Sequence, residues 1–485
     1  MHIIKNGCKL KLVLILFIIH VVHSISFAQS SNTSSPYSRY GVGDLAGKGF
    51  AQGFAMGGSH IATQNDSTQF TYFINSGNPA SYANLRLTSA ELGLNYSGVQ
   101  LANATSNQLV HNASLAYVAL AFPVQKWWGS SIGLIPFSSV GYAISDKREL
   151  SSVEVVEYLY EGSGGINQFY FGNSVKPLYF LPYTFLKSKR YARLLKENKK
   201  HEMNRIILRK RKLGDGLSLG FNASYLFGNV ENSKRSIFLP KVVAFNTRSA
   251  TSTRVSDVYF DYGIQYAYTF DTLNGRDLKD NVKFSLGATF SAQTDINAKV
   301  DTLTYSYYYG SSGEEILRDT IRQTNDSKGF VRFPLSFGFG IGLKKGDRWA
   351  AAADFAIQNW SSYQAFNYSQ NLKNSMRISA GVQYTPNSQY SNTKNAIEGY
   401  YKRVQYRMGA RFAKTALELK GTQLNEYALS LGAGLPVSRG FSLINVGVEF
   451  GQRGTLSNGL IRENFMKVNV GFTISDRWFA KSRID

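Results

Sequence analysis

One pattern constrains this chain more than any other: apolar side chains recur at every second position, in segment after segment, from about residue 90 to the end. Between Leu217 and Phe227 the odd positions read Leu217, Leu219, Phe221, Ala223, Tyr225, Phe227, while the even positions include Ser218, Gly220, Asn222 and Ser224. The same period runs through Val282 to Phe290 and through Val331 to Leu343, where Phe333, Leu335, Phe337, Phe339 and Ile341 alternate with Arg332, Ser336, Gly338 and Gly340. It returns around Ile378, Tyr406, Leu429 and Val468. A period of two is that of a strand with one oily and one polar face. After Val22 no stretch approaches the ~18 uninterrupted apolar residues of a spanning helix, so a membrane helix bundle is excluded.

Alternation alone also fits a soluble antiparallel sheet with one solvated face. Three features favour a transmembrane β-barrel. The strands reach the ~9–11 residues that a tilted strand needs to cross a bilayer. Their polar faces are small, glycine-rich or charged, as suits a lumen. Aromatics, including Trp127, Trp128, Trp349, Trp360 and Trp478, sit at strand ends, where interfacial girdles form. The fold class expected is therefore all-β, an antiparallel barrel spanning a bacterial outer membrane. Its strands fall near 89–100, 111–122, 130–145, 163–175, 216–230, 252–270, 281–300, 329–344, 348–359, 375–386, 402–413, 427–437, 441–452 and 465–475. That is about 14, an even number, and short turns are expected after the even-numbered strands, on the periplasmic side.

The N-terminus reads as an export signal. Lys5, Lys9 and Lys11 precede the apolar run Leu12 to Val22, and Ser26-Phe27-Ala28 offers a small-x-Ala site. The run is about half the ~20 residues of a membrane anchor, so residues 1–28 are expected to be removed. That leaves 457 residues, takes away the only cysteine, Cys8, and lowers the net charge from +22 to +19. An exported chain has left the compartment where most nucleic-acid binders work, and its basic excess is not read as a nucleic-acid footprint.

Residues 29–88 lack the alternation and hold seven glycines between Gly41 and Gly58. Gly41-Val42-Gly43-Asp44-Leu45-Ala46-Gly47 is no dinucleotide fingerprint, because the third glycine is misplaced and no apolar strand precedes it. The segment Gly49-Phe50-Ala51-Gln52-Gly53-Phe54-Ala55-Met56-Gly57-Gly58, then Ile61-Ala62 and Asn78-Pro79-Ala80, resembles the N-terminal hatch of the FadL/TodX family of outer-membrane transport proteins. Gly164-Gly165-Ile166-Asn167-Gln168 and Leu217 to Tyr225 resemble that family's fourth and fifth strands. The resemblance implies an N-terminal plug in 29–88, a barrel over 89–485, and passive uptake of fatty-acid- or hydrocarbon-like molecules through a lateral opening near the third strand. Asn78, Pro79 and Ala80 would be the hatch motif, or else an ordinary turn. The lateral opening would fall at Gly133, Pro136 and Gly141, since Pro136 has no N–H for a neighbouring strand; a bulge without functional consequence is the alternative.

Two features lie outside that pattern. An insertion at 176–215 separates the fourth and fifth strands, and Lys187 to Lys212 carries twelve Lys/Arg against Glu197 and Glu202. It reads either as a basic amphipathic helix on anionic lipid or a partner, or as a solvated loop. A basic wall, Arg403, Arg407 and Arg411 with Arg377 and Arg332, is expected to face the lumen. It would bind an anion or pair with plug carboxylates such as Asp44 or Asp66. His60, His111 and His201 are scattered, and no nucleophile elbow marks a serine, so neither catalysis, a metal nor a cofactor is expected. The partners expected are outer-membrane lipids, a hydrophobic small-molecule ligand and a secretion or periplasmic partner at the basic insertion. The alternative to transport is a PorV-like shuttle or anchor in protein secretion, or a structural barrel.

Overall fold

The computed structural model describes residues 33–65, 73–149, 155–180, 216–239, 245–270, 281–387, 396–437 and 442–476. The export signal, Asp66, Trp478 and most of the basic insertion lie outside the described residues.

Fourteen antiparallel strands close on themselves. On the first side of the wall they are β1 (Thr88–Ala102), β2 (Asn107–Gln125), β3 (Trp128–Glu149), β4 (Val155–Val175), β5 (Leu217–Leu239) and β6 (Asn246–Phe270). Two broken strands follow: β7 (Val282–Ser291 continuing as Thr294–Tyr309) and β8 (Glu315–Phe333 continuing as Ser336–Lys345). The circuit finishes with β9 (Trp349–Gln358), β10 (Ser375–Tyr384), β11 (Gln405–Leu419), β12 (Thr422–Val437), β13 (Ser442–Gly454) and β14 (Arg462–Asp476). Rungs from Arg462↔Ala102 to Asp476↔Thr88 join the last strand to the first. Closure is what lipid demands, because an open edge there leaves backbone groups without partners at several kcal/mol each. The chain is an outer-membrane β-barrel, and none of its described helices is long or apolar enough to cross a membrane.

The outward face is the oily one read from the sequence. Leu219, Phe221, Tyr225, Phe337, Phe339, Ile341, Ile378 and Val382 are all exposed to the lipid side, and their alternating neighbours Ser224, Ser379 and Gln383 are buried.

Two expectations change. Short connections occur at both ends: Lys126–Trp127 and Gly346–Arg348 at the end that carries Thr88 and Asp476, but also Asn103–Ser106 and Lys420–Gly421 at the far end. Height at the far end comes from strands instead of loops, since β3 to β6 have 22, 21, 23 and 25 residues while β9 and β10 have 10 each. The added residues of β3, β5 and β6 are largely polar, which is why alternation did not mark them, while those of β4 include Val155, Val156, Tyr158, Leu159 and Tyr160.

The second change concerns parity. β8 breaks at Pro334–Leu335, opposite the break in β7 at Ala292–Gln293. Below the break Leu335 and Phe337 face lipid; above it Val331 and Phe333 turn inward, at 4% and 2% exposure. Arg332 consequently leaves the lumen. It lies on the outer side in rung with Asp295, with Nε and Nη2 donating to that carboxylate at 2.6 and 2.8 Å.

Candidate functional site: the lumen and the gap in its wall

Residues 33–65 and 73–87 run through the barrel against its inner face. Tyr37 is buried near the β13–β14 connection and Ser38 against Gly141 of β3, a four-residue helix Ala51–Phe54 packs on β13 and β14, and Pro79–Asn84 forms a 3-10 turn against β3 to β6. Backbone polarity explains much of the seating. A segment without ladder partners inside a barrel must find them on side chains of the wall. Gly57 N–H donates to Ser430 Oγ at 2.8 Å, His60 and Ile61 N–H to Asp354 Oδ2 at 2.6 and 2.9 Å, and Ile74 N–H to Glu91 Oε1 at 2.6 Å. Ile61 O accepts from Gln265 Nε2 at 2.9 Å and from Asn78 Nδ2 at 2.7 Å.

The wall makes room with glycine. A Cβ at Gly220 would come within 2.6 Å of Pro79, at Gly287 within 2.2 Å of Ile61 O, at Gly381 within 2.4 Å of Met56 O and at Gly409 within 2.2 Å of Gly57 N. The pairs face each other across rungs: Gly220↔Gly263, Gly287↔Gly340, Gly381↔Gly409 and Gly432↔Gly447. They make a girdle on which the inner segment rests. Each glycine was visible in the sequence as one member of a polar face, but its alignment with the next strand's glycine depends on register.

The expected hatch residues meet on this girdle. Asn78 caps the 3-10 turn by accepting from Ala80 N–H at 3.1 Å, Pro79 opens it, and Ala80 is fully buried with its carbonyl accepting from Ser174 Oγ at 2.8 Å.

The basic wall does not gather as expected. Arg403 ends the helix Ala396–Arg403 and lies off the strand, because β11 begins only at Gln405. Arg407 is buried at 3% and donates to Gln383, Gln405 and Asn445. Arg411 binds Glu426 and Glu449 at 2.7 and 2.9 Å, so its partners come from the wall. Arg377 also points inward, beside Asp354 and Arg411, whereas Arg332 is outside. Asp44, expected as a partner of this row, pairs instead with Arg453 at 2.8 Å.

Arg453 was not among the expected site residues. Its guanidinium also reaches Glu463 at 2.7 Å and Ser35 Oγ at 2.7 Å. A lone arginine on an exposed-looking strand end carries no such signal.

The wall itself has a gap. The β2–β3 ladder runs from Gln125↔Trp128 to Val118↔Leu134, and among the described residues no rung joins the two strands beyond it. β3 continues for fifteen residues past Leu134, paired with β4 throughout except for a bulge between Pro136 and Ser138. Val118 and Leu134 are exposed apolar residues, so the slit opens at the upper part of the lipid-facing band. Pro136 stands at its foot. Gly133 lies just below, where a Cβ would strike the Tyr170 ring at 2.6 Å, and Gly141 lies within the slit, with its N–H donating to Ser38 Oγ at 3.0 Å.

Behind the slit lies an apolar cluster of Val42, Ile166, Leu226, Val255, Tyr259, Phe333, Trp360 and Tyr363. Phe137, from the slit, stacks on Phe333 at 5.1 Å and meets Tyr259 edge-on at 6.1 Å. Above it, a cavity of about 310 Å³ opens at the far end between Arg39, Tyr40, Tyr368 and Gln370. Lower in the lumen, a cavity beside Gly49, His60 and Glu91 has room of only about 10 Å³, at most a single water.

His60 gives the seating a pH dependence. It is fully enclosed, its Nδ1 donates to Gly58 O at 2.7 Å, and Asp354, Arg377 and Lys48 are its charged neighbours. Burial first, and then the Arg377 charge, hold its pKa down at about 3. The released segment would take up a proton near pH ~6.5 while the seated one would not, so seating is at full strength above that pH and weakens as pH falls toward 3. At pH 5 the loss is roughly 2 kcal/mol. Amide protection of residues 57–61, referred to intrinsic exchange at each pH, should drop by roughly thirtyfold between pH 7.5 and 5. Unchanged protection in His60→Gln as well as in the native chain would show that the ring does not set it.

The family model described as BamG matches residues 9–181 and 202–485. Among curated proteins none matches the sequence. Of solved structures, the CymD monoaromatic hydrocarbon channel aligns over 89% of this chain and 98% of its own, at 12% identity and a TM-score of 0.49. The Pseudomonas putida toluene transporter TodX aligns over 90% and 99%, at 14% identity and a TM-score of 0.48.

Proposed function

The chain belongs to the BamG family, and on that premise we propose that it is a gated outer-membrane channel for hydrophobic small molecules, fatty-acid- or hydrocarbon-like in chemistry. The observation that carries this reading is the interrupted β2–β3 ladder with an aromatic cluster directly behind it. A barrel that only had to be a wall would gain from continuing those rungs, since every open edge at lipid level is costly. In this reading the end with Thr88 and Asp476 is periplasmic. A ligand enters at the cavity between Arg39 and Tyr368, crosses the cluster around Tyr259 and Phe333, and leaves sideways past Phe137 and Pro136. Residues 29–88, described over 33–65 and 73–88, are the plug, and Asn78, Pro79 and Ala80 fix its periplasmic part to β4, β5 and β6. No catalytic role is assigned to any residue.

The apolar path suits this class of ligand because partition into the outer leaflet needs no water-filled exit. Arg407 and Arg411 play a structural part in this account, neutralising and bonding the inner wall where the plug sits.

The tight seating of the plug favours a second reading, a non-transporting anchor, and one assay separates the two. Proteoliposomes holding the full-length protein should take up a radiolabelled long-chain fatty acid or toluene roughly tenfold faster than protein-free liposomes. Equal rates for both ligands would leave the anchor reading standing and remove the channel.

A further inference from the structure

The slit is not empty. Asp44 and Leu45 form a two-residue strand that pairs with the free edge of β3, in rungs Asp44↔Ser139 and Leu45↔Ser138, and Ala46 N–H donates to Phe137 O at 3.0 Å. This seam is two rungs long, whereas the opposite edge of β3 holds β4 through twenty-one residues. The Asp44–Leu45 pair is flanked by glycines on both sides. Gly43 has φ +97° and approaches Ser139 so closely that a Cβ would lie 2.5 Å from its carbonyl oxygen, while nothing lies within 4 Å of a Cβ at Gly47. Such a stretch adopts its bound shape at little steric cost and leaves it as readily.

What holds so short a strand down is side-chain chemistry. The Asp44 carboxylate accepts from Arg453 at 2.8 and 3.3 Å and from Thr33 Oγ1 at 2.9 Å. Arg453 is held in turn by Glu463, whose carboxylate is 2% exposed, and Ser35 Oγ bridges the two, donating to Glu463 and accepting from Arg453. Tyr37 OH donates to Ile461 O, and Gly41 N–H donates to Gln370 Oε1 at 2.6 Å, beside the cavity at the mouth. Arg453 stands on β13, four strands round the wall from β3. One residue, Asp44, therefore joins the edge of the slit by its backbone to β13 by its side chain.

We infer that residues 33–46 are a displaceable strap that closes the slit, and that the Asp44–Arg453–Glu463 network is its latch. The inference rests on the slit being the exit proposed above. It adds that the exit is shut in the resting state by a strand of the chain itself, and it names the groups that keep it shut. Because Arg39, Tyr40 and Gln370 line the mouth cavity while Gly41, Asp44 and Leu45 follow within a few residues, a ligand that displaces Tyr40 or Gln370 pulls on the strand in the slit.

The test reads the strap without using transport. Ser138, the rung partner of Leu45, is 2% exposed, and the native sequence holds no cysteine beyond Cys8. Ser138→Cys in the full-length protein in nanodiscs, treated with a membrane-impermeant maleimide, should label slowly. Adding Asp44→Asn removes the charge-assisted bonds and should speed labelling by at least about tenfold. Gln370→Ala, which touches neither Asp44 nor Arg453, should speed it by a smaller factor. Heat-modifiable migration of each variant checks that the barrel has closed. Labelling rates equal to that of the parent Ser138→Cys protein in both variants would overturn the inference. Faster labelling with no uptake by the native chain would keep the strap and remove the channel reading instead.

Discussion

Gly409→Val will unseat the inner segment while leaving the barrel closed. Valine suits a strand better than glycine does, so β11 itself loses nothing. The new Cβ, however, would lie 2.2 Å from both Gly57 N and Met56 C, atoms of a backbone that is pinned on either side. Gly57 is bonded to Ser430, and three residues on His60 is bonded to Asp354. Gly57 also has φ +71°, and a Cβ of its own would lie 2.6 Å from Ala410 O, so segment and wall are already as near as backbones come. Overpacking against side chains costs roughly 1–3 kcal/mol; against fixed backbone the relief is smaller and the loss should reach the top of that range or exceed it. Hydrogen exchange should show residues 51–62 losing protection by roughly a hundredfold, with the strands unchanged. Loss of protection in β10 and β11 as well would mean that the girdle supports the barrel itself.

That prediction uses a feature the sequence half displays. The alternating glycines of the inward faces, Gly220, Gly287, Gly340, Gly381, Gly409 and Gly432, could be read as a polar or small face. Their purpose could not, because a glycine's neighbour across the sheet is fixed by register and its neighbour inside the lumen by a segment hundreds of residues earlier. The strands themselves were legible for a simple physical reason: lipid on one side and packed polar lumen on the other impose a strict period of two. Where one of those solvents changes, legibility fails. Above the lipid band polar side chains stand on both faces of β5 to β8, and the strands run on beyond the alternation. At Pro334–Leu335 a break shifts the parity, and Arg332, placed in the lumen by counting, stands outside beside Asp295.

The candidate site was legible in the same uneven way. Pro136 announced a weak point in a ladder because it lacks an N–H, and the β2–β3 rungs stop two residues before it. Arg403 was misplaced because a helix, Ala396–Arg403, leads into β11 where spacing alone extended the strand. The latch of Asp44, Arg453 and Glu463 left no trace, since Asp44 lies more than four hundred residues before the other two and no local motif joins them.

The second large effect follows from the slit. Leu45 and Ser138 are rung partners in an antiparallel pair, which sets their Cα atoms about 5 Å apart and within disulfide reach. The double variant Leu45→Cys, Ser138→Cys should oxidise without moving either strand and pin Asp44–Leu45 to β3. Nothing else in the lumen is altered, and the mouth cavity stays open. Reduction breaks only the S–S bond, so the side chain lost at Leu45 is common to both states. The comparison is therefore internal to one preparation, free of differences in expression or folding.

Uptake of a radiolabelled long-chain fatty acid, or of toluene, by proteoliposomes carrying this variant tests the account most directly. With the disulfide formed, uptake should fall to the level of protein-free liposomes, and a reductant should return it to the native rate. Native uptake through the oxidised protein would show that hydrophobic molecules do not leave between β2 and β3.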